Sequence, residues 1–78
     1  MSTEFPKRLP EKLRAIREQT RLSESDFATN VNARDGAAIA SYESGQGDLP
    51  VSVLFAYVKI AGIPVENLID DDRELFSD

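Results

Sequence analysis

Carboxylates are the most abundant side chains in this chain that could do chemistry, but the groups that usually work with them are missing. The 78 residues include 14 Asp and Glu, 9 Lys and Arg, and no His or Cys. Without imidazole or thiol groups, the common side chains for proton transfer near neutral pH and for transition-metal binding are absent. The sequence also has no glycine-rich phosphate loop. We therefore expect no catalytic residues, no cofactor and no metal site.

The acidic residues are concentrated at the C-terminal end. Residues 1–65 hold eight acidic and eight basic residues, so the net charge of −5 comes from the residues that follow. Asp70, Asp71 and Asp72 are consecutive there. Such a run could attract a divalent cation, but in a mobile tail it more often only keeps a protein in solution. We predict that residues 70–78 form a frayed acidic tail without a metal.

Capping residues and hydrophobic spacing predict five helices and no strand. Pro10 is suited to the start of a helix that ends near Thr20. Ser23 is a helix N-cap, with Asp26 at the third position of a capping box. Asp35 can cap a third helix, although the glycine that follows costs about 1 kcal/mol relative to alanine. The remaining boundaries are predicted at Gly45, at Val51 or Val53, at Gly62, at Pro64 and near Ile69.

The same spacing predicts which side chains form the core. Helix one should bury one face, helix two should begin with a hydrophobic staple, and helix three should bury two residues three apart. Helix four has an inward face of four residues. In chain order these side chains are Leu9, Leu13, Ile16 and Thr20, then Leu22 and Phe27, then Ile39 and Tyr42, then Leu54, Phe55, Val58 and Ala61. The predicted fold class is a compact all-α domain.

One short motif resembles a known family. Residues 41–45 read Ser-Tyr-Glu-Ser-Gly, nineteen residues after Leu22 and five before Pro50. This stretch resembles the end of the recognition helix in the Xre and Cro family of lambda repressor-like helix-turn-helix domains. The resemblance covers about residues 9–69. It implies a five-helix domain, flanked here by an N-terminal arm (1–8) and the acidic tail (70–78), with an ion pair between Arg17 and Glu43.

The resemblance also implies a partner and a site. Members of the family bind double-stranded DNA as dimers whose recognition helices enter successive major grooves. We therefore expect a homodimer. Its spare apolar residues for self-association are Val53, Phe55, Ile60, Val65, Ile69 and Phe76. The residues at DNA-contacting positions are Ser23, Glu24, Arg34, Gly36, Ala37, Ala38, Ser41 and Gln46.

Several of these residues depart from the family's pattern. Glu24 stands where a glutamine usually holds a phosphate, and its carboxylate would repel one. Gly36, Ala37 and Ala38 stand where longer polar side chains usually meet base edges. Alanine can touch a thymine methyl group but cannot make a bidentate hydrogen bond to a base. The connection before helix three is also one residue longer than usual, so we expect weak base readout.

Two functions remain open from the sequence. The first is a DNA-binding transcriptional regulator with weak base readout. The alternative is a non-catalytic protein-interaction module, in which the helix-three face docks a partner protein after DNA binding has been lost. The tail could inhibit DNA binding through its charge or act only as a solubilising segment. The absence of cysteine, of a signal peptide and of a stretch of about 20 apolar residues predicts a cytoplasmic protein without membrane contact.

Overall fold

A computed structural model describes residues 7–46 and 48–76, which form five α-helices and no strand. They are α1 (Leu9–Thr20), α2 (Glu24–Asn30), α3 (Gly36–Ser44), α4 (Val51–Ala61) and α5 (Val65–Ile69). The predicted all-α class with five helices is confirmed. Residues 1–6 of the predicted arm and residues 77–78 of the predicted tail lie outside the described part of the chain.

The helix boundaries follow the capping residues. Ser23 Oγ accepts a hydrogen bond from the Asp26 backbone amide at 3.1 Å, and Asp35 Oδ1 accepts one from the Ala38 amide at 2.9 Å. These bonds satisfy amides that the first turn of a helix leaves unpaired. At the other end of α3, Gly45 has a φ of 79°, a left-handed conformation that glycine adopts without strain. Each predicted capping side chain therefore begins its helix.

The core lies between α1 and the helices packed around it. Leu13, Ile16 and Phe27 are almost fully buried, and the Phe27 ring meets the Tyr57 ring edge-on with centroids 4.9 Å apart. Helix α1 contacts α3, α4 and α5. Leu9 and Ile39 are also buried as predicted, whereas Thr20, Leu22 and Tyr42 are only partly buried.

The predicted inward face of α4 needs a correction. Phe55 was expected to point inward, but 54% of it is exposed. Val53, expected to be a spare surface residue, is buried together with Tyr57. Because these two residues are four apart, they share one side of the helix, and that side faces the core. Phe55 lies two residues from each of them and points away.

The acidic residues after α5 also differ from the prediction. We call residues 70–76 the C-terminal segment. Its Leu75 belongs to the core and is only 7% exposed. The buried side chain of Lys12 donates hydrogen bonds to the backbone oxygens of Asn67, Asp70 and Arg73 at 2.8, 2.8 and 2.9 Å. The prediction of fraying is therefore wrong for this segment, because a buried ammonium group and an apolar anchor hold it against α1.

A second set of contacts joins the C-terminal segment to the start of α1. Asp71 accepts hydrogen bonds from the backbone amides of Lys7 and Arg8 at 2.8 and 2.9 Å, one on each carboxylate oxygen. These bonds hold the pKa of Asp71 below its ordinary value. Asn67 adds a link, since its side-chain oxygen accepts from Arg73 Nε at 3.0 Å. The predicted arm and tail are thus in contact.

Candidate functional site

The candidate site is built on the close packing of α3 against α2. A Cβ atom added at Gly36 would lie 2.9 Å from Ser25 Oγ and 3.0 Å from the Ser25 backbone nitrogen. Only glycine allows the two helices to approach this closely. This packing explains why residue 36 is a glycine. The family resemblance had placed Gly36 among the DNA-contacting positions. The residue positions α3 instead of presenting a side chain.

The connection between α2 and α3 places Arg34 at the surface. Val31 is fully buried and anchors the connection, while Asn32 adopts a left-handed φ of 59°. The Ala33 amide then donates to the Ala28 backbone oxygen at 2.9 Å. Arg34 follows and is exposed. The five residues 31–35 are therefore an ordered turn that leaves one guanidinium group beside α3.

Arg34 lies on a groove of about 400 Å³ between this turn, α3 and the start of α4. Three of the predicted DNA-contacting residues line it: Arg34, Ala38 and Ser41. The remaining lining residues are Asn32, Ala33, Tyr42, Asp48, Pro50, Ser52 and Val53. The groove thus joins hydroxyl groups, one cation and one carboxylate along the side of α3.

The other predicted contact residues are distributed around this groove. Ala37 is exposed on the first turn of α3. Ser23 uses its hydroxyl to cap α2. Gln46 is exposed, and its backbone amide donates to the Ser41 oxygen at 3.0 Å. Glu24 lies in a different groove, which it lines with Arg14, Arg17, Ala40, Glu43 and Ser44.

The expected ion pair between Arg17 and Glu43 is present. Arg17 Nε lies 2.7 Å from Glu43 Oε2, and Nη2 donates to Oε1 at 3.1 Å, a two-bond geometry that suits guanidinium and carboxylate. Arg17 Nη1 also donates to the Leu22 backbone oxygen at 3.1 Å. The hydrogen bonds to Glu43 raise the pKa of Arg17. The pair ties the last turn of α3 to α1 and so fixes the outer face of α3.

Most cations of α1 are already engaged. Lys12 is buried, Arg17 bonds Glu43, and Arg14 pairs with Glu18 at 3.0 Å. Arg34 forms no ion pair within residues 7–46 and 48–76. Of the residues that line the groove along α3, it is the one cation, and Asp48 is the one carboxylate. The surface beside α3 is therefore close to neutral.

Sequence reasoning missed two groups of residues. It did not foresee that Lys12, Asn67 and Asp71 join α1 to the C-terminal segment. One signal was available, because Leu75 and Phe76 are apolar residues inside an otherwise acidic stretch. It also missed Ser52, which lines the groove from the first turn of α4. Only the three-dimensional approach of α4 to the turn before α3 reveals its place.

Comparisons with known proteins identify no relative of this chain. No protein-family model matches the chain, and neither a curated protein nor a solved structure shows significant similarity to it. The resemblance to the Xre and Cro family thus stays a prediction. In the described part of the chain, no helix has the length and apolar character needed to cross a membrane. The same residues contain no cluster of three or more potential metal-binding side chains.

Proposed function

We propose that this chain is a DNA-binding transcriptional regulator of the helix-turn-helix type, in which α3 and the groove beside it meet double-stranded DNA. The observation that carries the proposal is the placement of α3. Its inner side packs on α2 through the glycine contact, and Arg17 holds its far end. Ala37 is left exposed, and Arg34, which forms no ion pair within the described residues, lines the groove along α3. This is the arrangement that a recognition helix requires.

The chemistry of this surface favours contacts with phosphates over contacts with bases. An α-helix with its side chains is about 10–12 Å in diameter, so α3 can enter a major groove about 12 Å wide. The available donors are the Arg34 guanidinium group, the Ser41 and Ser52 hydroxyl groups and the side-chain amide of Gln46. Hydroxyl groups and a single guanidinium position a duplex on its backbone, while alanines select bases poorly. The proposed binding is therefore weakly sequence-selective.

Self-association belongs to the same proposal. Five large apolar side chains are exposed on α4, α5 and the C-terminal segment: Val51, Phe55, Ile60, Ile69 and Phe76. Exposed apolar area of this kind favours association. Sedimentation equilibrium would detect a dimer, and Phe55→Glu should shift it to monomer. A monomer at 100 μM or above would remove the dimer from the proposal.

The deciding experiment compares two variants that each delete one positive charge. Arg34→Ala removes the cation beside α3, and Lys59→Ala removes an exposed cation in the last turn of α4. A fluorescent random-sequence duplex is titrated with each protein from about 50 to 200 mM salt. We expect Arg34→Ala to weaken binding and to reduce the salt slope by about 0.9, the value for one lost phosphate contact. Lys59→Ala should leave the slope unchanged.

Two results would contradict DNA binding at this site. One is the absence of binding up to about 100 μM at low salt, which is weaker than typical non-specific affinities. The other is an equal effect of the two substitutions, since a contact at α3 must distinguish Arg34 from Lys59.

A second candidate function, a protein-interaction module, is favoured by the charges near α3. Asp48 lines the same groove as Arg34, and Glu24 lines a second groove that also includes Ala40 of α3. Both carboxylates would repel phosphates and would attract a basic protein surface. The substitution Ala37→Arg separates the two functions because Ala37 is exposed. It should strengthen binding to a duplex and abolish a complex with a protein partner.

A further inference from the structure

The basic start of α1 is held by acidic groups of its own chain. Asp71 binds the backbone amides of Lys7 and Arg8, and Arg8 Nη1 donates to the Asp71 backbone oxygen at 3.0 Å. The Arg8 guanidinium group also lies 3.7 Å from a Glu74 oxygen and 3.8 Å from a Glu11 oxygen. The two backbone amides and the Arg8 guanidinium group are therefore already engaged.

These contacts resemble those that proteins make with phosphate groups. Successive backbone amides that point at one acceptor form a concavity suited to an anion. The positive end of the helix dipole adds to the attraction at the start of α1. A carboxylate that occupies both amides therefore competes with any phosphate that approaches them. Asp71 does so from within the chain, at a high effective concentration.

The start of α1 lies beside the end of α3. A Cβ atom added at Gly45 would be 3.2 Å from Pro10 Cγ, so the residue that ends α3 touches the first turn of α1. Lys7 and Arg8 precede that turn directly. A duplex lying along α3 would therefore bring a flanking phosphate near them. The acidic contacts of the C-terminal segment stand in its way.

We infer that the C-terminal segment is an autoinhibitory contact that keeps the Lys7 and Arg8 backbone amides and the Arg8 guanidinium group from DNA. The inference rests on the proposed DNA-binding function. Release needs only a local change, because Asp71 and Glu74 hold Arg8 while Lys12 and Leu75 anchor the remainder of the segment. The segment can thus free the basic residues and stay attached to the core. The proposed function then has a closed state with fewer phosphate contacts and an open state with more.

The test compares Asp71→Ala with Asp72→Ala. Each substitution deletes one negative charge, but Asp72 is exposed. Within the described residues, its hydrogen bond is the one that its backbone amide donates to Asp70 Oδ1 at 2.9 Å. Both full-length variants are titrated with random-sequence duplex DNA from about 50 to 200 mM salt. We expect Asp71→Ala to bind several-fold more tightly, with a salt slope steeper by about 0.9 for each phosphate gained. Asp72→Ala should keep the wild-type slope.

A third protein identifies the residue that is freed. Adding Arg8→Ala to Asp71→Ala should return the salt slope to the wild-type value, because the slope counts charged contacts and the freed backbone amides are neutral. Because Asp71 also supports the start of α1, circular dichroism must show that each variant is folded. If Asp71→Ala does not fold, Glu74→Gln replaces it, since this change removes the carboxylate charge 3.7 Å from the Arg8 guanidinium group and leaves the amide contacts intact. Asp72→Asn is then the matched control.

Each outcome decides the inference. Equal affinities and slopes for the Asp71 and Asp72 variants overturn it, and binding that still depends on Arg34 would leave the proposed function standing. A tighter Asp71 variant whose steeper salt slope survives Arg8→Ala also overturns it, because the added charged contact would then not be made by Arg8. Absence of duplex binding by every protein, Asp71→Ala included, removes the proposed function and this inference together.

Discussion

The hydroxyl group of Tyr57 is buried and has no hydrogen-bond partner in the described part of the chain. An unpaired buried polar group costs about 1–3 kcal/mol, whereas the ring itself contributes to the core through Phe27. We expect Tyr57→Phe to raise the free energy of unfolding by about 1 kcal/mol, measured by urea denaturation. Tyr57→Leu, which also removes the ring, should lower it. If Tyr57→Phe is less stable than the wild type, the hydroxyl group has a hydrogen-bond partner.

Tyr57 also predicts a response to alkaline pH. Burial, and after it the charge of Glu43, raise its pKa above the ordinary value of 10.0. The unfolded chain therefore loses the Tyr57 proton at a lower pH than the folded chain, and stability falls as the pH rises past about 10. Below that pH the contribution is constant. Urea denaturation of the wild type and of Tyr57→Phe at pH 8 and pH 11 should show that the variant loses less free energy of unfolding between the two pH values. Equal losses for the two proteins would contradict the prediction.

Lys12 is the most constrained cation of the described chain. Its ammonium group donates to three backbone oxygens, and the residue as a whole is 2% exposed. Lys12→Met keeps the apolar stem but leaves those oxygens without their donor, so we expect a loss of about 2–3 kcal/mol in urea denaturation. Lys59→Met, at an exposed position, should change stability by less than about 0.5 kcal/mol. A loss that small at Lys12 would mean that water replaces the ammonium group.

The sequence anticipated some of these residue contacts and not others. The pair between Arg17 and Glu43 was expected because a family resemblance assigns both residues a place. Lys12 carries no such signal, since in the sequence it is one of several basic residues of the first helix. Its partners are backbone oxygens more than 50 residues away. Contacts of that kind depend on where a distant segment packs, which local pattern does not encode.

At the scale of the elements, the distance between α2 and α3 depends on one missing side chain. Gly36→Ala would add a carbon 3.0 Å from the Ser25 nitrogen and 3.2 Å from the Ser25 Cα atom. Backbone atoms cannot move aside as a flexible side chain does. We expect a net loss of about 1–2 kcal/mol in thermal unfolding, although alanine favours helix more than glycine does.

A second variant tests the reason for that loss. Ser25→Ala removes the Ser25 hydroxyl group, which would be 2.9 Å from the new carbon, but leaves the backbone contacts. The double variant should therefore recover little stability. Full recovery would show that only the hydroxyl group opposes a side chain at position 36. A stabilised single variant would show that α3 moves freely on α2.

Helix positions were predictable from the sequence to a greater degree than helix orientation. Ser23 and Asp35 act through bonds to amides three residues away, so their effect can be derived locally. The inward side of α4 could not be derived in this way. Eight of its first ten residues are apolar or aromatic, counting alanine as apolar. Both sides of the helix are therefore compatible with burial. Packing against Phe27 selects the side that carries Tyr57.

At the scale of the whole molecule, the C-terminal segment is part of the folded unit. Deleting residues 70–78 removes five acids and one base and changes the net charge from −5 to −1. It also removes Leu75 from the core and two of the three oxygens bound by Lys12. We expect a melting temperature lower by about 10 °C or more, measured by circular dichroism. Deletion of residues 77–78 alone is the control, and an unchanged melting temperature for the longer deletion would contradict this role.

The contact between Lys7 and Asp71 joins residues 64 positions apart, so the two ends of the described chain lie next to each other. A polypeptide with adjacent ends can be inserted into a surface loop of a host protein without stretching either. A donor and an acceptor fluorophore at positions 7 and 72 would start close together, because Asp71 contacts Lys7. Energy transfer between them would fall whenever the C-terminal segment leaves the start of α1. The labelled chain would therefore report how often this contact opens.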